Sequence, residues 1–282
     1  MAELMSAPAV LLGSPLGPFA GALDPDLLRR YAEATADPSP RVRLGEVAPP
    51  VALVTQIWAA QNAGLRAAVP AEVSQAATGG VHGEHDIVLH RPIRPGEPLR
   101  IWVEGQSARP AGRNSLVTLR HTIRDAADAL VAEQWWTTVF LGTTCARAGE
   151  PPAEHTFPAA ARERPVATWE AEVDEGMAAR YAEVSGDHSA HHFDADAARR
   201  SGFDRVFLHG LCTMALCAQG VVERVAGGDP ARVRRIAVRF ATPTFLGERL
   251  RVRYYDAGPL GYAFEADSGG TPVITHGRAE LR

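Results

Sequence analysis

Cysteine is scarce in this chain of 282 residues: Cys145, Cys212 and Cys217 are the full set. An odd, sparse count argues against a disulfide framework and for a reducing compartment. Cys212 and Cys217 stand in an apolar segment and are expected as small buried thiols. A basic excess is also missing. The net charge is -4 and the pI about 6.2, which speaks against a nucleic-acid partner or an anionic membrane surface. No apolar run reaches the roughly 18 residues of a spanning helix. The N-terminal stretch MAELMSAPAVLLGSPLGPFAGAL carries Glu3 and lacks the basic start of a signal peptide. It is expected to be a flexible or surface-packed arm. A cytoplasmic location is therefore expected, and 46% hydrophobic with 22% charged residues suffice for a packed core.

What the chain does have is a repeat. YAEATADPSP, opening at Tyr31, matches YAEVSGDHSA, opening at Tyr181, with Tyr, Ala, Glu, Asp and Ser in register. PIRPGEPLR, from Pro92, matches PTFLGERLR, from Pro243, and the two offsets differ by a single residue. Internal similarity at one offset points to a duplicated unit. Between the copies lies the Pro- and Ala-rich TTCARAGEPPAEHTFPAAARERPVAT, which has linker composition. The expected division is residues 1–142, a linker at 143–166, and residues 167–282.

Both copies show one order of elements. In the second, Asp174 is expected to cap a short helix through Tyr181 and Val184, stopped by Ser185-Gly186. LHGLCTMALCAQGVVERVAG is apolar on nearly every face, so it reads as a buried helix. RRIAVRFATPTF, ERLRVRYYDA, GYAFEADS and PVITHGRAELR alternate between Gly and Pro turns and read as antiparallel strands. In the first copy the helix is VALVTQIWAAQNAGL, and the strands are HDIVLHRPI, EPLRIWVEGQ, NSLVTLRHTIRD and ALVAEQWWTTVFLG. A sheet wrapped around a helix follows in each half. Pairing the two sheets edge to edge would hide their open strands.

The segment YAEVSGDHSAHHFD, Tyr181 to Asp194, followed by SGFDRVFLHGLCT, carries a family signature. It resembles the MaoC-like dehydratases, the (R)-specific enoyl-CoA hydratases or hydratase 2 group, whose motif runs Tyr, Ser-Gly-Asp, Asn-Pro, His, Gly-Phe and His-Gly. The first half resembles the degenerate copy of double-hotdog members, notably in HGEHDIVLHRPIRPGEPL. Together the resemblance covers most of residues 25–282. It implies an α+β double hotdog: two repeats, each a curved antiparallel sheet around a long buried helix. It also implies reversible hydration of a trans-2-enoyl thioester, on coenzyme A or acyl carrier protein, to the (R)-3-hydroxyacyl thioester. The catalytic aspartate falls on Asp187, the catalytic histidine on His192 and the oxyanion-hole amide on Gly210. Ser189, His209 and Phe203, in the same motif, are expected to contact substrate, with His209 chiefly hydrogen-bonding ahead of the helix. The family's Asn-Pro is Ser189-Ala190 here, so proline's fixed backbone is lost and a looser loop is expected.

These residue types suit the chemistry. Attack of water on a conjugated thioester needs a base for the water, a proton for the α-carbon and stabilisation of the thioester oxygen. A carboxylate and an imidazole can share the first two tasks near neutral pH. A backbone N–H at a helix start can do the third, and a glycine there is expected to let the oxygen come close. In an α-helix, Asp187 and His192 would fall on different faces, so they can converge only on a bent loop. The first copy keeps Asp37, but no histidine follows it and His-Gly becomes Pro49-Pro50. One active site per chain is expected, with the first copy shaping the acyl tunnel.

Plainer readings stand beside these. His188, His191, His192 and His209 match no standard zinc spacing, and no metal or other cofactor is expected. His188 and His191 are expected at the surface or behind the site. Arg199, Arg200 and Arg205 read as ordinary surface charge ahead of coenzyme A phosphate ligands. Of Trp135 and Trp136, one is expected in the core and one facing out. Glu84 and His85 carry no catalytic signal. A thioester hydrolase on the same fold and a non-catalytic acyl-thioester binding subunit are the alternatives. A homodimer is expected, with neither nucleic acid nor membrane as partner.

Overall fold

The computed structural model describes residues 9–152, 156–258 and 261–282. The first half runs β1 (Gly13–Ala22), α1 (Pro25–Ala34), α2 (Pro40–Arg43), α3 (Val54–Ala68), α4 (Ala71–Ala76), β2 (Gly79–Leu89), β3 (Pro98–Ala111), β4 (Asn114–Asp125) and β5 (Leu130–Leu141). A two-residue strand, β6 (Ala148–Gly149), pairs with β3 from within the linker. The second half repeats the order: β7 (Pro165–Glu172), α5 (Met177–Ser185), α6 (Ala195–Arg200), α7 (Gly210–Arg224), β8 (Val233–Phe240), β9 (Arg249–Asp256), β10 (Tyr262–Ser268) and β11 (Thr271–Leu281).

Of the two expectations for the N-terminal arm, surface packing rather than flexibility holds from Gly13 onward, in the form of a strand; its first eight residues lie outside the described ones. Gly13–Ala22 is a strand, antiparallel to β3, with Phe19 opposite Ile101 and Ala22 opposite Pro98. Its Gly- and Pro-rich sequence does not alternate. What draws it in is the open backbone edge of β3, whose N–H and C=O groups need partners.

All strands join one sheet, in the order β1-β3-β4-β5-β2-β8-β11-β10-β9-β7. The two halves of that order mirror each other about the antiparallel pair β2·β8, with Ile87 opposite Ile236 and His85 opposite Val238. Both isoleucines are fully buried. Charge flanks them: Arg235 grips Asp86 with two nitrogens, its Nε lying 2.9 Å from Oδ1, and Arg239 Nε donates to Glu84 at 2.7 Å. Near the pseudo-twofold axis the repeated Tyr31 and Tyr181 meet with ring centroids 6.2 Å apart.

Each long helix lies on its own half of the sheet. α7 buries every residue from Leu211 to Val222, as expected of an all-round apolar helix, and Cys212 and Cys217 sit there as buried thiols. Tyr254 reaches up from β9 to donate to the Cys217 carbonyl at 2.6 Å, and Gly220 leaves room for its ring. α3 packs as closely: a side chain at Gly64 would strike Val103 and Leu119. Asp174 does not cap α5 from its own position. Gly176 occupies the cap position, while Asp174 accepts the Gly176 N–H at 2.9 Å and pairs with Arg180. Gly186, with φ 76°, ends α5 in the left-handed conformation that suits glycine. Trp136 is buried and Trp135 half-buried, in line with strand alternation.

Asp86→Ala should leave Arg235 in the seam with only Glu280, at 3.3 Å. We expect a loss of about 3 kcal/mol in urea unfolding, partly restored by adding Arg235→Met.

Candidate active site

The segment after α5 is a bent loop, not a helix. Asp187 follows the Gly186 turn, Ala190–His192 form one 3-10 turn, and Asp194 caps α6 by accepting the Ala197 N–H at 2.7 Å. This bend brings His192 Nε2 to 4.0 Å from Asp187 Oδ2. His192 is 5% exposed and Asp187 19%. The ring's other nitrogen, Nδ1, donates its proton to the Phe207 carbonyl at 2.8 Å. Nε2 is therefore left unprotonated on the side facing the carboxylate. Burial, then the neighbouring His209 and His191, pushes the His192 pKa down to about 2, so the imidazole is a neutral acceptor at working pH. Asp187 is held through its other oxygen: Oδ1 accepts the Ser189 N–H at 3.0 Å and the Ser189 hydroxyl at 2.5 Å. Ser189 lines the cavity as expected, but its hydroxyl is engaged by the carboxylate. It thereby fixes Asp187 where proline's rigidity is absent.

His209 ties the loop to the long helix. Its Nε2 donates to the Asp187 backbone carbonyl at 2.9 Å, and its ring stacks on His192 at 3.7 Å. Gly210 is the first residue of α7, so its N–H has no acceptor within the helix and carries the dipole's partial positive charge. An added Cβ there would meet the Phe240 ring at 3.2 Å, so a larger residue would also require that ring to shift. Phe203 is half-buried, packs on Phe207 at 4.5 Å and lines the same space.

That space is a cavity of about 330 Å³. One side of it is the loop after α5 and the start of α7, and other lining comes from the first half: Trp58, Gln61 and Leu65 on α3, His82 on β2, and Trp136 on β5. Sequence reasoning assigned the wall to the first copy without naming these residues. Their only local signal is the helical spacing of Trp58, Gln61 and Leu65. The imidazoles along the seam have no local signal either. His82 stacks on Trp136 at 4.0 Å and meets His85 at 3.2 Å, and His85 in turn reaches the Gln134 amide oxygen at 3.0 Å. His188 is exposed, while His191 is half-buried and stacks on Phe207.

Asp187, His192 and His209 offer donor atoms within 4.8 Å of one another. Stacked imidazoles aim their lone pairs side by side, however, and a 4.0 Å gap between two donors is wide for one ion. The set is better shaped to share a water. Arg199 and Arg205 pair with Asp196 and Glu248 on the surface, consistent with ordinary surface charge.

A second cavity, about 240 Å³, lies between the first copy and α7, lined by Tyr31, Asp37, Pro49, Pro50 and Gln219 among others. Burial drives the Asp37 pKa up to about 6, against the pull of the Ser39 N–H. No histidine faces it.

A family profile described as MaoC like domain matches residues 156–261. Over 197 residues the chain is 32% identical to 3-hydroxyacyl-thioester dehydratase Y of Mycobacterium tuberculosis, covering 68% of this chain and 67% of that one. The chain belongs to the MaoC-like dehydratase family. The peroxisomal enoyl-CoA hydratase 2 of Arabidopsis thaliana is 27% identical over 179 residues, 60% of this chain and 58% of that one. Among solved structures, a MaoC-like dehydratase from Phytophthora capsici aligns with a TM-score of 0.81 at 23% identity, covering 95% of this chain and 96% of that one. A Mycobacterium tuberculosis protein described as having a double hotdog fold aligns at 0.56 with 18% identity, over 96% and 94% of the two chains. The fold of this MaoC-like chain is accordingly a double hotdog. No helix among the described residues is long and apolar enough to cross a membrane.

The buried imidazoles predict how stability follows pH. Burial lowers His85 to about 4, His121 to about 3 and His192 to about 2. Below pH 6.5 the unfolded chain takes up protons that the folded chain refuses, so stability must fall as pH drops through that value. Asp37, raised to about 6, opposes this between pH 3.8 and 6 with one proton only. The urea midpoint should decline steadily from pH 7 to pH 5. His121→Leu should make the pH slope of the unfolding free energy shallower by about 1.4 kcal/mol per pH unit at most.

Proposed function

We propose that this MaoC-like chain is a hydro-lyase that adds water reversibly across a trans-2-enoyl thioester to give the (R)-3-hydroxyacyl thioester. The observation that carries the reading is the Asp187–His192 pair, 4.0 Å apart, at the positive end of α7. That gap is too long for a hydrogen bond and suits one bridging water. The water is polarised by Asp187 Oδ2 and His192 Nε2. They take its proton as oxygen bonds to the β-carbon, and the pair returns a proton to the α-carbon. Negative charge gathering on the thioester oxygen is met by the Gly210 N–H and the helix end. Dehydration runs the same steps backward. Phe203 packs beside the thioester. His209 and Ser189 act as positioning residues through their bonds to Asp187.

The division of labour supports residues 167–282 as the catalytic half and 1–142 as the half that shapes the acyl pocket, joined by a linker at 143–166. The names of the relatives in M. tuberculosis and A. thaliana agree with an acyl thioester as substrate, carried on coenzyme A or acyl carrier protein. A cytoplasmic setting is consistent with three free, buried cysteines, and we propose a homodimer.

The test is loss of enoyl absorbance on a short trans-2-enoyl-CoA, with chiral analysis of the alcohol. Wild type should give the (R) product. Asp187→Asn and His192→Gln should each lose at least about a hundredfold in kcat while remaining folded. Free thiol appearing instead of alcohol would replace the hydratase with a hydrolase.

A further inference from the structure

Part of the cavity wall is built of Trp58, Leu65, Trp136, Phe140 and Phe240, a lining suited to hydrocarbon. Polar side chains lie among them: Asn62, His82, Thr138 and Gln61. Gln61, in the middle of α3, is 1% exposed and lines the same cavity. Its amide nitrogen reaches Thr138 Oγ1 only at 3.5 Å, the outer limit of a hydrogen bond. Its Oε1 has no partner among the described residues. A buried amide left unpaired is costly, and an apolar side chain of the same size would avoid that cost. A wall meant for plain alkyl chains has no need of it.

The chemistry of the missing partner can be narrowed. Gln61 Oε1 accepts a hydrogen bond, so the partner must donate. The amide can also turn over, giving its oxygen to the Thr138 hydroxyl and offering N–H to the cavity; the partner must then accept. A hydroxyl satisfies either orientation. A carboxylate or an ammonium would need a counter-charge. Asp187, on the loop after α5, is the one carboxylate or guanidinium residue of this lining. The imidazoles of His82 and His192 are held neutral by burial.

We propose that the acyl chain of the substrate carries a hydroxyl group beyond the enoyl unit, bound by Gln61 with Thr138. This rests on the hydratase reading above and names the class of its substrate: a hydroxylated enoyl thioester. The hydroxyl takes no part in the reaction. It fixes how far the chain enters the pocket, and so where the β-carbon stops relative to Asp187 and His192.

The experiment uses the full chain and pairs of trans-2-enoyl-CoA thioesters of equal length, with and without a terminal hydroxyl, at several lengths. At one length the wild type should favour the hydroxylated member in kcat/KM by about tenfold or more. Gln61→Leu should reverse the preference, the loss on the hydroxylated substrate appearing mainly in KM. Gln61→Met serves as a second variant should leucine disturb folding. A wild type that favours plain chains at every length, or a preference that ignores both substitutions, would overturn the proposal and leave water as the amide's partner. Calorimetric binding of the corresponding saturated acyl-CoA pairs separates the two readings. Hydroxyl preference in binding without turnover would remove the hydratase and keep the Gln61 site. Turnover without preference would do the reverse.

Discussion

One strand pair, β2 against β8, holds this molecule in its working form. The seam buries Ile87 against Ile236 and locks them between Asp86–Arg235 and Glu84–Arg239. It also fixes the cavity. β2 begins near His82 where β8 ends at Phe240, and those two rings lie 4.8 Å apart on the cavity wall. Phe240 in turn backs Gly210, the residue at which α7 starts. A slip of one residue along the seam would turn the buried side chains to the opposite face. It would also draw the wall supplied by the first half away from the loop supplied by the second.

The duplication places one loop in two surroundings. Tyr31 and Tyr181 are both buried at the same turn of their helices, and an aspartate follows each. Asp187 looks across 4.0 Å at an imidazole whose tautomer the Phe207 carbonyl sets. Asp37 looks into a smaller cavity walled by prolines, with a pKa pushed upward by burial. The two loops differ in that the second has His192 and a helix-start N–H at Gly210, where the first has Pro49-Pro50 and no histidine in the lining of its cavity.

The long helices and the four strands after each were legible because their apolar periods are strong and their turns are marked by Gly and Pro. Asn114–Asp125 matches the segment read as NSLVTLRHTIRD in full. The motif around Asp187, His192 and Gly210 could be read because its members are close in sequence. β1 could not, since a strand recruited by a neighbour's open edge needs no pattern of its own. Trp58, Gln61 and Trp136 were equally hidden. They reach the cavity through a pairing between halves some 150 residues apart in sequence, and nothing local records that distance. The contact of Gly210 with Phe240 could not be read either, because that ring comes from a remote strand.

Because the seam joins two parts of a single chain, its formation does not depend on how much protein is present. Two separate subunits sharing a cavity in this way would come apart on dilution, and their stability would vary with concentration. Here each half meets the other at the high effective concentration set by a tether. The covalent link also removes the symmetry a pair of identical subunits must obey. A substitution at Trp58 or Gln61 changes one wall of one pocket and has no twin. The two halves are thus free to diverge, each lining a different part of the one pocket.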